Sequence, residues 1–291
     1  MSGALARVLP QPAQRLTVSA VVPTRNRPAR LGAAVRALLA QTVPVDELIV
    51  VDRSLDGLGL RRVRTLVAAV PASRRPRLDY VLDPAIPGAA AARNVGLDRA
   101  TGDIVLCCDD DVVSDPHVVE RLLGHYEAAP DCAGLAPVIT NYPTPGRLER
   151  LYGWLFHRGP FRGARHSVHW SWRRYTKPTR VPVRMFTGAM MSFRRTALSA
   201  FRNDPRNGGT SIGGDIDLSW ALWRQGASLA IATDAHIVQD SAPLTRSAAA
   251  DHLAERRQEA LHVASGADGQ AEAAADDRPA RHAAHQDPPR P

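Results

Sequence analysis

Three consecutive carboxylates, Asp109-Asp110-Asp111, close the apolar run Ile104-Val105-Leu106-Cys107-Cys108. An apolar run bounded by carboxylates reads as a buried strand that ends in a cation site. Successive side chains on an extended strand point to opposite faces, so Asp109 and Asp111 fall on one side and Asp110 on the other. Two carboxylates held that close repel unless a hard cation such as Mg2+ or Mn2+ sits between them. At the carboxyl end of an α/β strand such a cation is placed to grip a diphosphate. The plainer alternative is an acidic loop or a helix start, since Ser114-Asp115-Pro116 follows and suits a cap.

The elements that must position this triplet are legible on its N-terminal side. Thr17-Val18-Ser19-Ala20-Val21-Val22 reads as a strand stopped by Pro23. Leu31, Ala34, Val35, Leu38 and Leu39 then recur at helical spacing. Residues 46–51 form a second strand ending at Asp52, a helix around 60–70 follows, and residues 78–82 make a third strand. The Ala-rich segment 89–100 is helical and 104–108 is a fourth strand. This alternation predicts a parallel sheet with right-handed crossovers. Ligands of such sheets collect at the strands' carboxyl ends, where Asp52 and the triplet both sit.

Past residue 140 the pattern changes. Prolines and glycines interrupt an aromatic helical patch at Leu148, Leu151, Tyr152, Trp154, Leu155 and Phe156, and Trp170, Trp172 and Tyr175 follow among arginines. Regular structure is expected again at 186–193, as a helix at 216–225 and as a strand at 228–232. Residues 1–14 read as a loose arm and 247–291 as a mostly disordered tail, with a short helix near 249–262 as the exception. The domain between spans 15–246, split into a nucleotide-binding half (15–112) and an acceptor and catalytic half (113–246). Core packing competes with a membrane-interface role for the aromatic and basic segment 148–174.

Composition narrows the class. With 291 residues, 44% of them hydrophobic, the chain can bury one large α/β core. No apolar run is long enough to span a bilayer and no signal-peptide core is visible, so a soluble cytoplasmic protein is expected. The three cysteines, Cys107, Cys108 and Cys132, show no metal spacing and no disulfide framework. The formal charge of +8 invites a nucleic-acid partner. The basic residues are scattered, however, and Lys177 is the sole lysine, a pattern of coding bias, so no nucleic-acid role is assigned; anionic lipid or nucleotide partners remain compatible.

Several segments together resemble the family 2 glycosyltransferases, which have the GT-A nucleotide-diphospho-sugar transferase fold. They are Val21-Val22-Pro23-Thr24-Arg25-Asn26-Arg27, Leu48-Ile49-Val50-Val51-Asp52, Gly88-Ala89-Ala90-Ala91-Ala92-Arg93-Asn94-Val95-Gly96-Leu97, residues 102–112, Phe186-Thr187-Gly188-Ala189-Met190-Met191-Ser192-Phe193, and Gly214-Asp215-Ile216-Asp217-Leu218-Ser219. They occur in the family's order over residues 16–240. The resemblance implies an α/β, mostly parallel central sheet flanked by helices. It also implies inverting, metal-dependent transfer of a sugar from UDP or dTDP to a hydroxyl of a glycan, lipid-linked or small-molecule acceptor. Asp109 and Asp111 match the DxD metal motif, with Gln239 as a further oxygen ligand of Mg2+ or Mn2+. Donor contacts fall to Pro23, Thr24, Arg25, Asp52, Arg93, Asp110 and Gly188. Asp52 would accept from a uracil N–H, Arg93 would pair with phosphate, and Asp110 would make ribose or supporting contacts. Asp215 matches the catalytic base; its place at a helix start also suits an N-cap.

Three departures stand out. Arg53 follows Asp52 where the family often has a second acid. Gly214 precedes the base where it usually has Glu. Gln239 and Asp240 stand where it often has His, with His236 three positions before Gln239. The glycines at 208, 209, 213 and 214 are read as a lid hinge. A sugar-nucleotide nucleotidylyltransferase is the enzymatic alternative, but the stretch after the first strand lacks its glycines. A non-catalytic nucleotide-sugar-binding protein is the other. A peripheral contact at the inner membrane face accompanies the cytoplasmic expectation.

Overall fold

Alternating apolar strands and helices force a layered solution, because the central strands of this chain are apolar on both faces and must be covered twice. The computed structural model describes residues 15–141, 147–148, 151, 178–186, 188–199, 201–202 and 214–240. The elements are β1 (Val18–Thr24), α1 (Pro28–Leu39), β2 (Glu47–Asp52), α2 (Leu58–Ala68), β3 (Arg77–Leu82), α3 (Gly88–Arg99), β4 (Ile104–Cys108), β5 (Val112–Ser114), α4 (Val118–Ala128), β6 (Cys132–Ile139), β7 (Arg180–Val183), β8 (Met190–Arg194), α5 (Gly214–Arg224) and β9 (Ser228–Gln239). The expected arm 1–14, the tail 247–291, the hinge glycines at 208, 209 and 213 and nearly all of the aromatic segment lie outside the described residues, while the fourth hinge glycine, Gly214, opens α5. Of that segment, Leu148 and Leu151 are described, and both are exposed.

The strands form one sheet in the order β3-β2-β1-β4-β8-β6-β9-β5, with β7 paired to β9. The β3-β2-β1-β4 half is parallel, as the strand–helix alternation predicts. Beyond it, β8 inserts antiparallel to both β4 and β6, β6 and β9 are parallel, and β5 closes antiparallel on β9. This register carries the carboxyl ends of β1, β2, β4 and β9 and the start of β8 to one edge.

Alternation assigns the faces. Ala20, Val22, Leu48, Val50, Leu106 and Cys108 pack into one core with α1, α2 and α4. Val21, Ile49, Val51, Val105 and Cys107 pack into the other, with α3 and α5. The adjacent cysteines therefore face opposite cores, and all three cysteines are buried and outside any disulfide.

Several local expectations are corrected. Pro23 does not stop β1, which runs to Thr24. Pairing with β4 ends at Val21↔Cys107, so the proline lies beyond the ladder its missing N–H would interrupt. Residues 186–193 are not one strand: Gly188 (φ 82°) and Ala189 (φ 61°) are left-handed, and β8 starts only at Met190. Strand β9 runs past residue 232 to Gln239.

Two sites illustrate what holds the fold. Gly96 of α3 lies against β1, and a methyl group added there would overlap the Val21 side chain. Gly96→Ala is expected to destabilise by about 1–3 kcal/mol through overpacking, read as a lower midpoint in chemical denaturation. At the opposite sheet edge, Glu47 accepts from Ser19, Thr101 and Arg77. Burial alone would raise its pKa, but these hydrogen bonds win and hold it at about 2. A depressed carboxylate stabilises above its unfolded value of 4.5 and loses that contribution as pH falls toward 2. Arg77 is 55% exposed, so solvent screening reduces the effect to on the order of 1–2 kcal/mol. Glu47→Gln is expected to flatten the stability–pH curve in that window, measured by urea unfolding at stepped pH.

Candidate active site

The triplet is fixed residue by residue at the shared edge. Asp110 lies on the α1 side, where its carboxylate accepts from the Thr24 hydroxyl at 2.7 Å and lies 3.5 Å from the Arg27 guanidinium. Asp109 reaches the α3 side, where Arg93 donates to it at 3.1 Å. Asp111 turns to the end of β9, where the Gln239 amide donates at 3.4 Å. Strand β4 ends at Cys108 and the triplet lies in a turn closed by Val112 N–H donating to Asp109 O at 3.3 Å, so Asp109 and Asp111 are not held on one face of a strand as expected. Backbone contacts complete the frame: Asp109 N–H donates to Ala189 O at 2.8 Å and Asp240 N–H donates to Asp111 O at 2.8 Å.

The two left-handed residues before β8 explain the first of those bonds. Positive φ at Gly188 costs little, but at Ala189 it costs on the order of 1 kcal/mol. The turn they form presents the Ala189 carbonyl to the triplet. Gly188 is buried against this turn.

Burial pushes the Asp110 carboxyl above its usual range; the Thr24 hydrogen bond and the Arg27 charge oppose this, and the Asp111 charge adds to it. Cys108 is raised well above an ordinary thiol, first by burial and then by the three neighbouring carboxylates, so it stays protonated and packs. Arg93 is 3% exposed and sits beside a carboxylate, unlike the solvated helix arginine that its place on α3 equally allowed.

Asp52 heads a second network. It is 1% exposed. One carboxylate oxygen accepts from the Ser54 N–H and hydroxyl, the other from the Tyr80 hydroxyl at 2.5 Å. The Tyr80 pKa is raised, by burial first and then by this bond. Ser54 Oγ in turn accepts the Asn26 N–H at 2.7 Å, which stabilises a left-handed Asn26 (φ 54°) just before Arg27. Asp52 is therefore wired to the loop that touches the triplet. Thr24 is also tied in: its carbonyl accepts from Arg53 N–H at 3.0 Å and the residue is buried, where an exposed strand end was expected. Arg53 itself donates to Ile86 O. Arg25 is half-buried beside this loop.

Tyr80, Ser54, Asn26, Arg27 and Ala189 were not singled out as site residues by sequence. Tyr80 reads only as one alternating position of β3, and a left-handed alanine has no sequence signature.

Asp215 is the second residue of α5. The helix is anchored by buried Leu218 and Leu222 and by Ser219, whose hydroxyl accepts the Phe186 N–H at 2.9 Å two residues before Gly188. The Asp215 side chain lies outside the described residues. His236 bonds the Thr233 carbonyl at 3.0 Å, one turn of strand before Gln239.

Asp109, Asp111 and Gln239 offer two carboxylates and an amide, the oxygen donors a hard cation takes, and Asp109 is 31% exposed. They fit Mg2+ or Mn2+ completed by ligand oxygens. Among the described residues no group of three or more His, Cys, Asp or Glu converges as a ready-made cage.

The fold is shared with solved glycosyltransferases. Staphylococcus aureus TarS (residues 1–349), solved in complex with UDP, matches at 14% identity with a TM-score of 0.54, covering 76% of this chain and 60% of that one. GalNAc-T7, solved with UDP, GalNAc and Mn2+, matches at 15% identity with a TM-score of 0.57, covering 78% of this chain and 44% of that one. The longer TarS structure is covered over 36% of its length, so the chain spans about a third to three-fifths of these relatives. No curated protein matches the chain in sequence. Among the described residues no helix is long and apolar enough to cross a membrane. The family described as Glycosyl transferase family 2 matches residues 19–222. That span is well over half of the chain, and the protein belongs to glycosyl transferase family 2.

Proposed function

We propose that the protein is an inverting glycosyltransferase that moves a sugar from a UDP or dTDP donor to the hydroxyl of a glycan, lipid-linked or small-molecule acceptor. The observation that carries this reading is the acidic triplet, held by Thr24, Arg93 and Gln239 where four strand ends meet. The UDP and Mn2+ bound in the solved relatives support the donor and the ion.

Asp109 and Asp111 would hold Mg2+ or Mn2+, with the Gln239 amide turned so that its oxygen replaces the Nε2 that now faces Asp111. When bound, the ion supplies positive charge to a departing diphosphate. Arg93 keeps Asp109 oriented and adds a fixed positive charge beside the phosphates. Asp110 locks Thr24 and Arg27, and so the first loop, against the triplet. Asp52, held by Tyr80 and Ser54, lies at the base end of the donor, with Pro23, Thr24 and Arg25 in the adjoining strand end and loop. Gly188 leaves room for close approach of donor or acceptor. Asp215 takes the acceptor hydroxyl proton at its carboxylate. The acceptor oxygen then bonds to the anomeric carbon as the bond from that carbon to the diphosphate breaks, which inverts the centre in one displacement. A cytoplasmic location fits three cysteines that form no disulfide.

The test is a thermal-shift screen of UDP, dTDP and their sugars, with Mn2+ or with chelator, followed by measurement of nucleoside diphosphate release on adding acceptors. A ligand that binds only the native state raises the melting temperature. Stabilisation by a pyrimidine nucleotide with Mn2+ and sugar-dependent turnover are expected. Stabilisation without turnover against a broad acceptor panel indicates the non-catalytic alternative, and no stabilisation by any nucleotide overturns the donor assignment.

A further inference from the structure

We infer that the outer face of α1 and α2 is a docking surface for an anionic lipid bilayer. The face lies outside the active site, and its lipid contact does not depend on the transferase reading. It stands out by charge. Residues 25–45 and 57–78 contain no Asp or Glu, while 57–78 alone contains six arginines. Arg74, Arg75 and Arg77 are committed, to the Gln41 and Thr42 carbonyls, to the end of α2 and to Glu47 respectively. Arg36 on α1 and Arg61, Arg62 and Arg64 on α2 are different. All four are exposed, and none has an ion pair with a described carboxylate.

Helix geometry gathers them. Val63 and Val67 turn α2 inward onto the core, which leaves Leu58, Arg61 and Arg64 rising along its outer side at spacings of three. Helix α2 packs on α1, and the Arg62 side chain lies over Gly32, where any larger residue would collide with it. Arg62 thereby bridges α2 to the helix that bears Arg36.

Two further features select a bilayer over a polyanion in solution. Leu55 is 73% exposed and Leu58 is 45% exposed, at the N-terminal end of the same arginine row. Arginine forks pair with phosphate headgroups while neighbouring leucines enter the acyl boundary. A nucleic acid offers nothing for those leucines. The leucines also lie at the working edge, because α2 starts six residues after Asp52 closes β2. Docking by this face brings the candidate cleft to the bilayer, where lipid-linked acceptors reside. Asp56, which caps Leu58 N–H, is the one carboxylate at this end.

The test is co-flotation of the full chain with vesicles of phosphatidylcholine alone or mixed equally with phosphatidylglycerol. Binding to the anionic vesicles alone is expected, weakening as salt is raised. Each basic residue near an anionic surface is worth about a fivefold change in partition. Arg61→Gln/Arg62→Gln/Arg64→Gln is therefore expected to reduce partition on the order of 100-fold, with circular dichroism and melting temperature preserved. Leu55→Ser/Leu58→Ser, which leaves the charge intact, is expected to weaken vesicle binding and leave any binding to double-stranded DNA unchanged. Equal flotation of the triple variant and the parent overturns the inference, as does an unaltered Leu55→Ser/Leu58→Ser variant. Absence of binding to anionic vesicles at low salt overturns it too.

Discussion

Asp215→Asn is expected to cut the turnover number by about three orders of magnitude, within the range a positioned general base supplies, while the nucleotide-induced rise in melting temperature stays. The position supports the split. Asp215 is the second residue of α5, where the helix dipole favours an ionised carboxylate. Leu218, Leu222 and the Ser219–Phe186 hydrogen bond fasten that helix next to the Gly188 turn. Asn is close in size and keeps the capping chemistry, so the fold is expected to survive. What Asn lacks is an anionic oxygen able to take a proton. A helix cap alone predicts the reverse pattern, a modest stability change with turnover retained. Preceding Gly214 in place of an acid leaves Asp215 without a carboxylate neighbour in the chain, so no adjacent acid stands ready to replace it.

The second large effect is expected from the triplet. Asp111→Asn removes one oxygen-donor charge while its neighbours stay in place, since Asp110 is anchored by Thr24 and Asp109 by Arg93. It should lower kcat/KM on the order of 100-fold and abolish any stimulation by Mn2+. Asp109→Asn should cost similar activity and also lower the melting temperature. Arg93 is 3% exposed, and the substitution removes the charge of a carboxylate that pairs with it, which is costly for a buried guanidinium. The difference in melting temperature between the two variants separates metal binding, which both impair, from the structural pairing, which Asp109 alone provides.

The parallel half of the sheet was legible because each strand there is a short apolar run and each helix an amphipathic one, so periodicity alone separates them. Asp109 and Asp110 do reach different sides, toward α3 and α1, but through the turn that follows Cys108 rather than through a continued strand, and Asp111 does not rejoin Asp109. Helix α4 and strand β6 left signals that the motif-led reading passed over: Val118, Val119, Leu122, Leu123 and Tyr126 fall at helical spacing, and all are buried. Ser114-Asp115-Pro116, which suggested a cap, does not supply one: Asp115 accepts His117 N–H at 2.9 Å in the turn before α4, whose N-cap is His117 and has no side-chain cap.

Other features had no local signal. The insertion of β8 between β4 and β6 is a long-range pairing that no window of sequence encodes. Pro23 was read as a stop because its missing N–H normally breaks a ladder; here the ladder to β4 has already ended at Val21. The left-handed Ala189 exists because its carbonyl is required at Asp109 N–H, a constraint set by tertiary contact. Likewise, the pairing of Arg93 with Asp109 depends on α3 crossing the second face of β4, which becomes visible only once the sheet is assembled.

Calorimetric titration of UDP into the protein, with Mn2+ and again with chelator, tests the central claim most directly. The expected result is a clear gain in UDP affinity with Mn2+ that Asp111→Asn abolishes. UDP binding of equal strength with and without the ion, unchanged in Asp111→Asn, would contradict it.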